Sequence, residues 1–222
     1  MKIRLAGQDA VLHPSGALFL ADHSALLVAD AHVGKAVSFR RLGVPVPRGT
    51  TGETLARLDA ALADTGARQL VFLGDFLHSA RSHAPGTLAV LHAWRERQAA
   101  LPVTLVRGNH DDRAGDPPAT LGFTIVDEPL RLGPFALCHH PRPLAHAYVL
   151  AGHWHPCVAV SGRAFEHLRL PCFWLGDEAV PAQAVGILPA FGSFTGMHRI
   201  APRPGDRIFP IAGDAVRPLP GP

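Results

Sequence analysis

Five short segments of the chain carry side chains that could bind cations or move protons. Asp30-Ala31-His32 places a carboxylate and an imidazole two residues apart after an apolar run. Side chains two apart in an extended segment point the same way, so this pair suits joint ligation of one cation. Gly74-Asp75 also follows an apolar run. A carboxylate can bridge two cations with its two oxygens, which makes Asp75 the candidate bridge; a turn or helix N-cap aspartate is the alternative.

The third segment, Gly108-Asn109-His110-Asp111, offers a different set of groups. An asparagine oxygen can bind a hard cation without adding negative charge, so Asn109 is a candidate ligand. His110 and Asp111 are the candidate catalytic residues, with His110 reaching the substrate and Asp111 orienting its ring. An Asx-type turn after a strand is the alternative for this tetrapeptide.

The last two segments supply imidazoles. Cys138-His139-His140-Pro141 offers two adjacent histidines, and Gly152-His153-Trp154-His155-Pro156 offers two histidines with i, i+2 spacing. That spacing puts both rings on one face of an extended segment. Buried imidazoles need polar partners, so such pairs are seldom simple core residues. Trp154, between them, either packs below the site or stacks on a base.

The elements that must position these residues follow a strand–loop–helix rhythm. Five apolar strands each end in Asp, Asn or His, and sites in α/β folds form beyond the carboxyl ends of strands. Thr50 and Glu53 match a capping box, with Leu55, Leu58 and Leu62 on one helical face and Gly66 at the end. Further strands are predicted over Gln69–Leu73, Val103–Val106, Phe135–Cys138 and Tyr148–Ala151. Helices are expected over residues 35–42 and 86–99. Residues 157–211 are expected to be β-rich.

Length and composition predict one globular domain over residues 1–216, with a frayed tail at 217–222. The chain has 222 residues, 47% of them hydrophobic, and a net charge of only +3. No apolar run is long enough to span a bilayer, and we expect no membrane association and no secretory signal. Three scattered cysteines without CxxC spacing argue against a disulfide framework or zinc ribbon and favour a reducing cytoplasm.

Basic residues are uneven along the chain. Lys35, Arg40, Arg41 and Arg48 fall close together, shortly after Asp30 and His32. They are candidate substrate residues that would contact phosphates. The alternative is a solvated helix face.

Taken together and in this order, the five segments resemble the calcineurin-like metallophosphoesterase superfamily, whose signature runs D-x-H, G-D, G-N-H-D/E, H and G-H-x-H. The resemblance covers residues 26–156. It implies an α/β fold, a two-sheet β-sandwich flanked by helices in four α/β/β/α layers, and two divalent transition-metal ions. By this resemblance one cation takes the side chains of Asp30, His32 and His155; the other takes those of Asn109, His139 and His153; Asp75 bridges them.

The same resemblance makes His110 a catalytic histidine that is not a ligand, and it favours His139 over His140 as the ligand. Many members of the superfamily have an aspartate three residues after the G-D pair, where this chain has His78. The implied reaction is an in-line phosphoryl displacement by a hydroxide activated between two cations. The mixed oxygen and nitrogen donors suit Mn²⁺, Fe or Zn²⁺ better than Ca²⁺.

A narrower resemblance is to the bacterial ligase-associated DNA damage response phosphodiesterase/endonuclease family. It is carried by residues 30–35, 39–47, Gly74-Asp75-Phe76-Leu77-His78-Ser79 and residues 188–196, and in that family His78 is expected. It implies a manganese-dependent phosphodiesterase associated with DNA repair, with DNA-repair partners such as a ligase. The basic cluster after His32 in turn predicts that DNA, or another single-stranded nucleic acid, is the substrate. A small-molecule phosphoesterase for nucleotides or cyclic nucleotides, and a non-catalytic scaffold, are the alternatives.

Overall fold

The fold is a sandwich of two mixed β-sheets with helices on the outside, as the sequence predicts. The structure is a computed structural model that describes residues 1–46, 49–161 and 167–220. Within these ranges the chain forms sixteen strands and four α-helices. No helix among the described residues is long and apolar enough to cross a membrane.

The first sheet follows the order of the chain. Its first four strands pair antiparallel, and the last four run parallel to one another. The parallel strands Ala25–Val28, Gln69–Leu73 and Val103–Val106 are nearly all buried, as expected for strands covered on both faces. The strands are β1 (Lys2–Leu5), β2 (Gln8–Leu12), β3 (Leu18–Leu20), β4 (Ala25–Val28), β5 (Gln69–Leu73), β6 (Val103–Val106) and β7 (Thr124–Val126).

The second sheet contains the later strands in a shuffled order. The strands are β8 (Leu130–Leu132), β9 (Phe135–Leu137), β10 (Tyr148–Ala151), β11 (Pro156–Ser161), β12 (His167–Leu175), β13 (Val185–Ile187), β14 (His198–Arg199), β15 (Arg207–Ala212) and β16 (Ala215–Val216). The main path of the sheet is β14-β11-β12-β13-β10-β9-β8, and β15 pairs with both β12 and β16. The β9, β10 and β13 strands are parallel neighbours.

The four α-helices lie in the first half of the chain. They are α1 (Lys35–Arg41), α2 (Thr50–Thr65), α3 (Pro85–Arg97) and α4 (Asn109–Ala114). Leu55, Leu58 and Leu62 of α2 pack with Trp94 of α3 on the outer face of the first sheet. In the described part of the chain, loop residues such as Leu144, together with Trp174, cover the outer face of the second sheet instead.

An apolar core between the two sheets fixes their positions relative to each other. Leu27, Val71 and Leu73 of the first sheet contact Phe135 and Leu150 of the second, and all five are almost fully buried. This removal of apolar surface from water is the main force that holds the sheets together. It also fixes the rim at which the predicted site residues meet.

The start of α2 corrects one sequence-based prediction. The capping box of Thr50 and Glu53 does not form, because Gly49 is the N-cap and Thr50 already lies in the helix. The Glu53 amide donates to the carbonyl of Gly49 at 2.9 Å. The predicted end is confirmed: Gly66 adopts a left-handed conformation with φ of 65°.

The C-terminal segment stays attached to β15. In the stretch predicted to be a frayed tail, the Arg217 amide donates to the Pro210 carbonyl and the Leu219 amide to the Ile208 carbonyl. The chain is therefore hydrogen-bonded as far as Leu219.

Candidate active site

Strand pairing brings the predicted site residues to one rim of the sandwich. In the first sheet, Val28 is in register with Phe72, and Leu73 with Val106, so β4, β5 and β6 end together. In the second sheet, β9 and β10 end side by side. The Gly152 amide donates to the carbonyl of His139 at 3.2 Å. All seven residues predicted as metal ligands follow these ends.

Asp30, His32 and His155 form one group at this rim. The Nε2 atoms of His32 and His155 are 3.3 Å apart, and Asp30 Oδ1 lies 3.5 Å from His155 Nε2. Asp30 is fully buried, and its Oδ1 has no hydrogen-bond partner among the described residues. The second oxygen, Oδ2, accepts a hydrogen bond from the His153 amide at 2.8 Å.

Asn109, His139 and His153 form the other group. The Nε2 atom of His139 lies 3.0 Å from Asn109 Oδ1 and 3.0 Å from His153 Nδ1. The Nδ1 atom of His139 lies 3.0 Å from the Leu73 carbonyl, which can only accept, so Nδ1 carries the proton. His139 Nε2 therefore turns an unshared electron pair towards the Asn109 oxygen.

Asp75 lies between the two groups. Its Oδ2 is 3.8 Å from His32 Nε2, and its Oδ1 is 3.4 Å from His139 Nε2. The Oδ1 atom also accepts a hydrogen bond from the His110 amide at 2.8 Å. The two oxygens of one buried carboxylate thus face one group each, the arrangement that the sequence predicts for a bridge.

The backbone at the site is not extended, which corrects the geometry expected from the i, i+2 spacing. Eight described residues other than glycine have a positive φ. Five of them are predicted ligands: Asp30, His32, Asp75, His153 and His155. A left-handed conformation costs a non-glycine residue about 1–2 kcal/mol, and such strain concentrates at functional sites.

Two motif glycines leave room for the side chains of predicted ligands. Gly74 has a φ of 78°, and a Cβ atom there would collide with the imidazole of His139. A Cβ atom on Gly152 would lie 2.5 Å from Asp30 Oδ2. These glycines therefore let β5 and β10 approach the side chains that the opposite sheet supplies.

The change Gly74→Ala tests this close approach. We expect it to displace His139 and to weaken cation binding by about 10- to 100-fold, the range seen when ligand-supporting contacts are lost. Gly86→Ala in α3 is the matched control, because a Cβ atom there meets nothing within 4 Å. The control should bind metal normally and gain up to about 1 kcal/mol of stability. Equal metal affinity in both variants, measured by calorimetry, would contradict the assigned packing.

Burial controls the protonation of the histidines. It lowers the pKa of His32 to about 2, helped by the nearby positive groups of His155 and Lys35. Burial also lowers the pKa of His139 and of His153. For His155 burial opposes the charged ring, but the negative charge of the nearby Asp30 carboxylate raises the pKa. Neutral rings keep the lone pairs that bind a cation.

His110 lies beside the two groups and is held by a backbone carbonyl. Its Nδ1 atom lies 2.7 Å from the His78 carbonyl, so Nδ1 donates and Nε2 is directed elsewhere. The His110 ring packs at 4.9 Å from that of His32 and stacks at 5.0 Å on that of His78. His78, which stands where many of the superfamily have aspartate, thus positions His110 through its main chain.

The prediction that Asp111 orients the ring of His110 is wrong. The Asp111 carboxylate is fully buried and accepts hydrogen bonds from the amides of Phe76, Leu77 and Gly108 at 2.9–3.3 Å. Burial raises its pKa to about 6, although these amides favour the charged form. Asp111 therefore fixes the loops that follow β5 and β6.

Sequence reasoning also missed Glu128. Its carboxylate accepts the amides of His139 and His140 at 2.7 and 2.9 Å and contacts His140 Nδ1 at 3.0 Å. This carboxylate holds the Nδ1 atom of His140, whose ring packs 4.8 Å from that of His153, while His139 stays buried in the site. Glu128 precedes Pro129 at a strand start and belongs to no motif, so no local signal identified it.

The predicted substrate residues lie in different surroundings, and only Lys35 is described next to predicted metal ligands. Lys35 lies near the carboxylates of Asp75 and Asp30, which oppose the lowering of its pKa by burial. Arg40 and Arg41 lie in the last turn of α1, where Arg40 Nη1 donates to the Val46 carbonyl at 3.4 Å. Arg48 lies outside the described residues.

The residues at the rim fit divalent cations. Metal–ligand bonds of about 2.1 Å at right angles put neighbouring donor atoms about 3.0 Å apart, and tetrahedral angles put them slightly farther apart. The separations between His32 and His155 and between His139 and Asn109 are 3.3 and 3.0 Å. Asp30 Oδ1 is buried and has no hydrogen-bond partner among the described residues, and a bound cation would satisfy it.

The sequence model of the calcineurin-like phosphoesterase family matches residues 23–138. The chain belongs to this family. The family carries out metal-dependent hydrolysis of phosphoester bonds, and the clusters of Asp and His side chains at the rim include candidate metal sites.

Solved structures similar to this phosphoesterase include the nuclease MPE of Pseudomonas putida. It is 45% identical, the match covers 99% of each chain, and the TM-score is 0.84. The phosphoesterase Yfce of E. coli is 16% identical over 86% of this chain and 90% of that one, with a TM-score of 0.41, a likeness too weak to support an inference. No curated protein matches this phosphoesterase.

Proposed function

We propose that this phosphoesterase is a dinuclear metal-dependent phosphodiesterase that cuts single-stranded DNA as an endonuclease. The observation that carries the proposal is the convergence of seven predicted ligand residues on one rim, where nitrogen and oxygen atoms of neighbouring side chains lie 3.0–3.8 Å apart. The 45% identity to a nuclease supports a nucleic-acid substrate.

In this proposal the seven donors divide as the sequence suggests. One cation takes Asp30, His32 and His155; the second takes Asn109, His139 and His153; Asp75 is shared between them. His139 rather than His140 is the ligand, because His139 is buried in the site whereas His140 is half exposed and pairs with Glu128. Mn²⁺ is the proposed ion, with Fe or Zn²⁺ as alternatives for the same oxygen and nitrogen donors.

When bound, such cations act as Lewis acids on a phosphoryl oxygen and ease deprotonation of the attacking water. The chain's own contribution is centred on His110. Because the His78 carbonyl holds Nδ1–H, a protonated ring presents Nε2–H, which can stabilise negative charge on a phosphoryl oxygen or donate its proton to the leaving alkoxide. The Asp75 carboxylate accepts a hydrogen bond from the His110 amide, which fixes the position of His110 relative to Asp75.

The charges around the site favour a diester over a monoester. A monoester dianion needs additional cationic side chains. Arg107 is paired with Asp116 and Asp127 at 2.8 and 2.7 Å, and Arg142 lies 3.4 Å from Glu128. Two arginines that flank the histidine motifs in sequence are therefore already neutralised.

We therefore expect faster hydrolysis of bis-p-nitrophenyl phosphate than of p-nitrophenyl phosphate in the presence of Mn²⁺, and cleavage of single-stranded DNA. The measurement compares kcat/KM for the two esters and follows DNA cleavage on a gel. A monoester preference without cleavage of DNA would instead favour a small-molecule phosphoesterase.

The proposal includes a role in DNA repair together with partners such as a ligase, in line with the narrower resemblance. The three cysteines are free and buried, which supports a reducing cytoplasm as the site of action.

A further inference from the structure

A cavity of about 660 Å³ opens directly beside the candidate metal site. His153 and His155 line it together with Trp154, which lies between them in the chain. β14 and the residues on either side of it also line the cavity, and the His198 amide donates to the His155 carbonyl at 2.9 Å. Since His153 and His155 line both the candidate metal site and the cavity, a molecule bound at the site could extend directly into the cavity.

Trp154 is not a packing residue of the core. It is 43% exposed, whereas Trp94, in the helical layer, is fully buried. An indole that only filled space below the site would be covered on both faces. Trp154 instead offers apolar surface at the wall of the cavity.

A second indole supports Trp154. The ring of Trp174 lies 5.8 Å from that of Trp154, tilted by 39°. Trp174 is fixed in turn, because its Nε1–H donates to the buried Asp206 carboxylate at 2.7 Å and the guanidinium of Arg203 lies 5.8 Å over its ring. The aromatic pair is thus held in place before any ligand binds, which limits the entropy cost of binding.

The charge of the cavity suits an aromatic group attached to phosphate. Its described lining includes Arg199 and His198 but no carboxylate. The pairing of β14 with β11 places Arg199 opposite Cys157, two residues beyond His155. An aromatic platform with a cationic wall is the combination that single-stranded nucleic acid uses, since bases stack and phosphates are neutralised.

We propose that Trp154, backed by Trp174, binds an unstacked nucleobase of the substrate strand. Since Trp154 lies between two of the proposed ligands, this base belongs to a nucleotide that flanks the scissile phosphate. The inference rests on the proposed function and specifies it: the substrate must be a strand whose bases are free to leave the stack. A paired duplex would have to be opened first.

The test combines protein variants with abasic substrates. An oligothymidylate is prepared in a series in which one nucleotide at a time is abasic, and KM and kcat are measured in Mn²⁺ for the parent, Trp154→Ala and Trp154→Phe. The matched control is Leu168→Ala, since Leu168 is 61% exposed on β12 and does not line the cavity. Metal content is measured in each variant.

We expect an abasic residue at one flanking position to raise the KM of the parent on the order of 10-fold. Trp154→Ala should raise the KM for the intact strand by a similar factor and should lose sensitivity to that abasic residue. Trp154→Phe should keep most of the effect, and Leu168→Ala should behave like the parent. A Trp154→Ala variant that is as sensitive to the abasic position as the parent would overturn the assignment.

A binding measurement makes the result independent of how well the alanine variant folds. Oligothymidylate should quench the tryptophan fluorescence of the parent, and Trp154→Phe should lose most of this quenching. If the parent cleaves DNA but Trp154 contributes neither to KM nor to quenching, the base site is wrong and the proposed function stands. If the parent neither cleaves nor binds DNA, both are wrong.

Discussion

Replacing Asp75 with alanine is expected to remove bound cations from both halves of the site and to lower phosphodiester turnover by about a thousandfold or more. The two oxygens of Asp75 face His32 and His139 at 3.8 and 3.4 Å, so one substitution removes a proposed ligand from each half. Bound cations contribute several kcal/mol of charge stabilisation in such reactions, which corresponds to a loss of this size.

The matched control for this experiment is Asp112→Ala. Asp112 is an exposed carboxylate in α4, close to the site in sequence, and it belongs to neither proposed ligand group. This variant should retain both metal and activity. Elemental analysis of the purified proteins decides the matter: an Asp75→Ala protein that still holds two cations would contradict the bridging role.

Replacing His110 with alanine should have the second-largest effect, of a different kind. We expect both cations to remain bound, KM to change little, and kcat to fall by about 10²- to 10⁴-fold, the contribution usual for a positioned acid or base. The reason is that His110 contributes its backbone amide, not its ring, to the Asp75 carboxylate, and alanine keeps that amide.

His92→Ala serves as the control for the histidine variant, because His92 lies in α3, where its Nε2 contacts the Thr120 hydroxyl at 3.4 Å. It should leave kcat unchanged. Loss of metal from the His110→Ala protein would show that His110 is a ligand and that the division of roles is mistaken.

The local elements could be predicted because their signals are local. Val103–Val106 and Tyr148–Ala151 form strands with the predicted bounds, since short apolar runs next to Gly or Pro define them. The convergence of Asp30, Asp75 and His153 followed from a general rule about the ends of parallel strands. That rule required no knowledge of which strands are neighbours.

Other features depend on contacts between distant parts of the chain, which no local pattern encodes. The Asp111 carboxylate is close enough in sequence to hydrogen-bond with the His110 ring, but it accepts hydrogen bonds from two amides of the loop after β5 instead. Glu128, in the connection between β7 and β8, accepts a hydrogen bond from the His139 amide. The left-handed backbone of His155 likewise results from the packing of the loops around the site and not from its own preference.

The proposed hydrolysis requires two cations held by this rim, and the most direct test is to measure metal content and single-stranded DNA cleavage on the same protein sample. The protein is stripped with EDTA, returned to Mn²⁺ in steps, and assayed at each step for bound ion and for cleavage. We expect no cleavage by the stripped protein and full activity when two equivalents are bound. Full turnover by the stripped protein, or activity that saturates at one equivalent, would contradict the account.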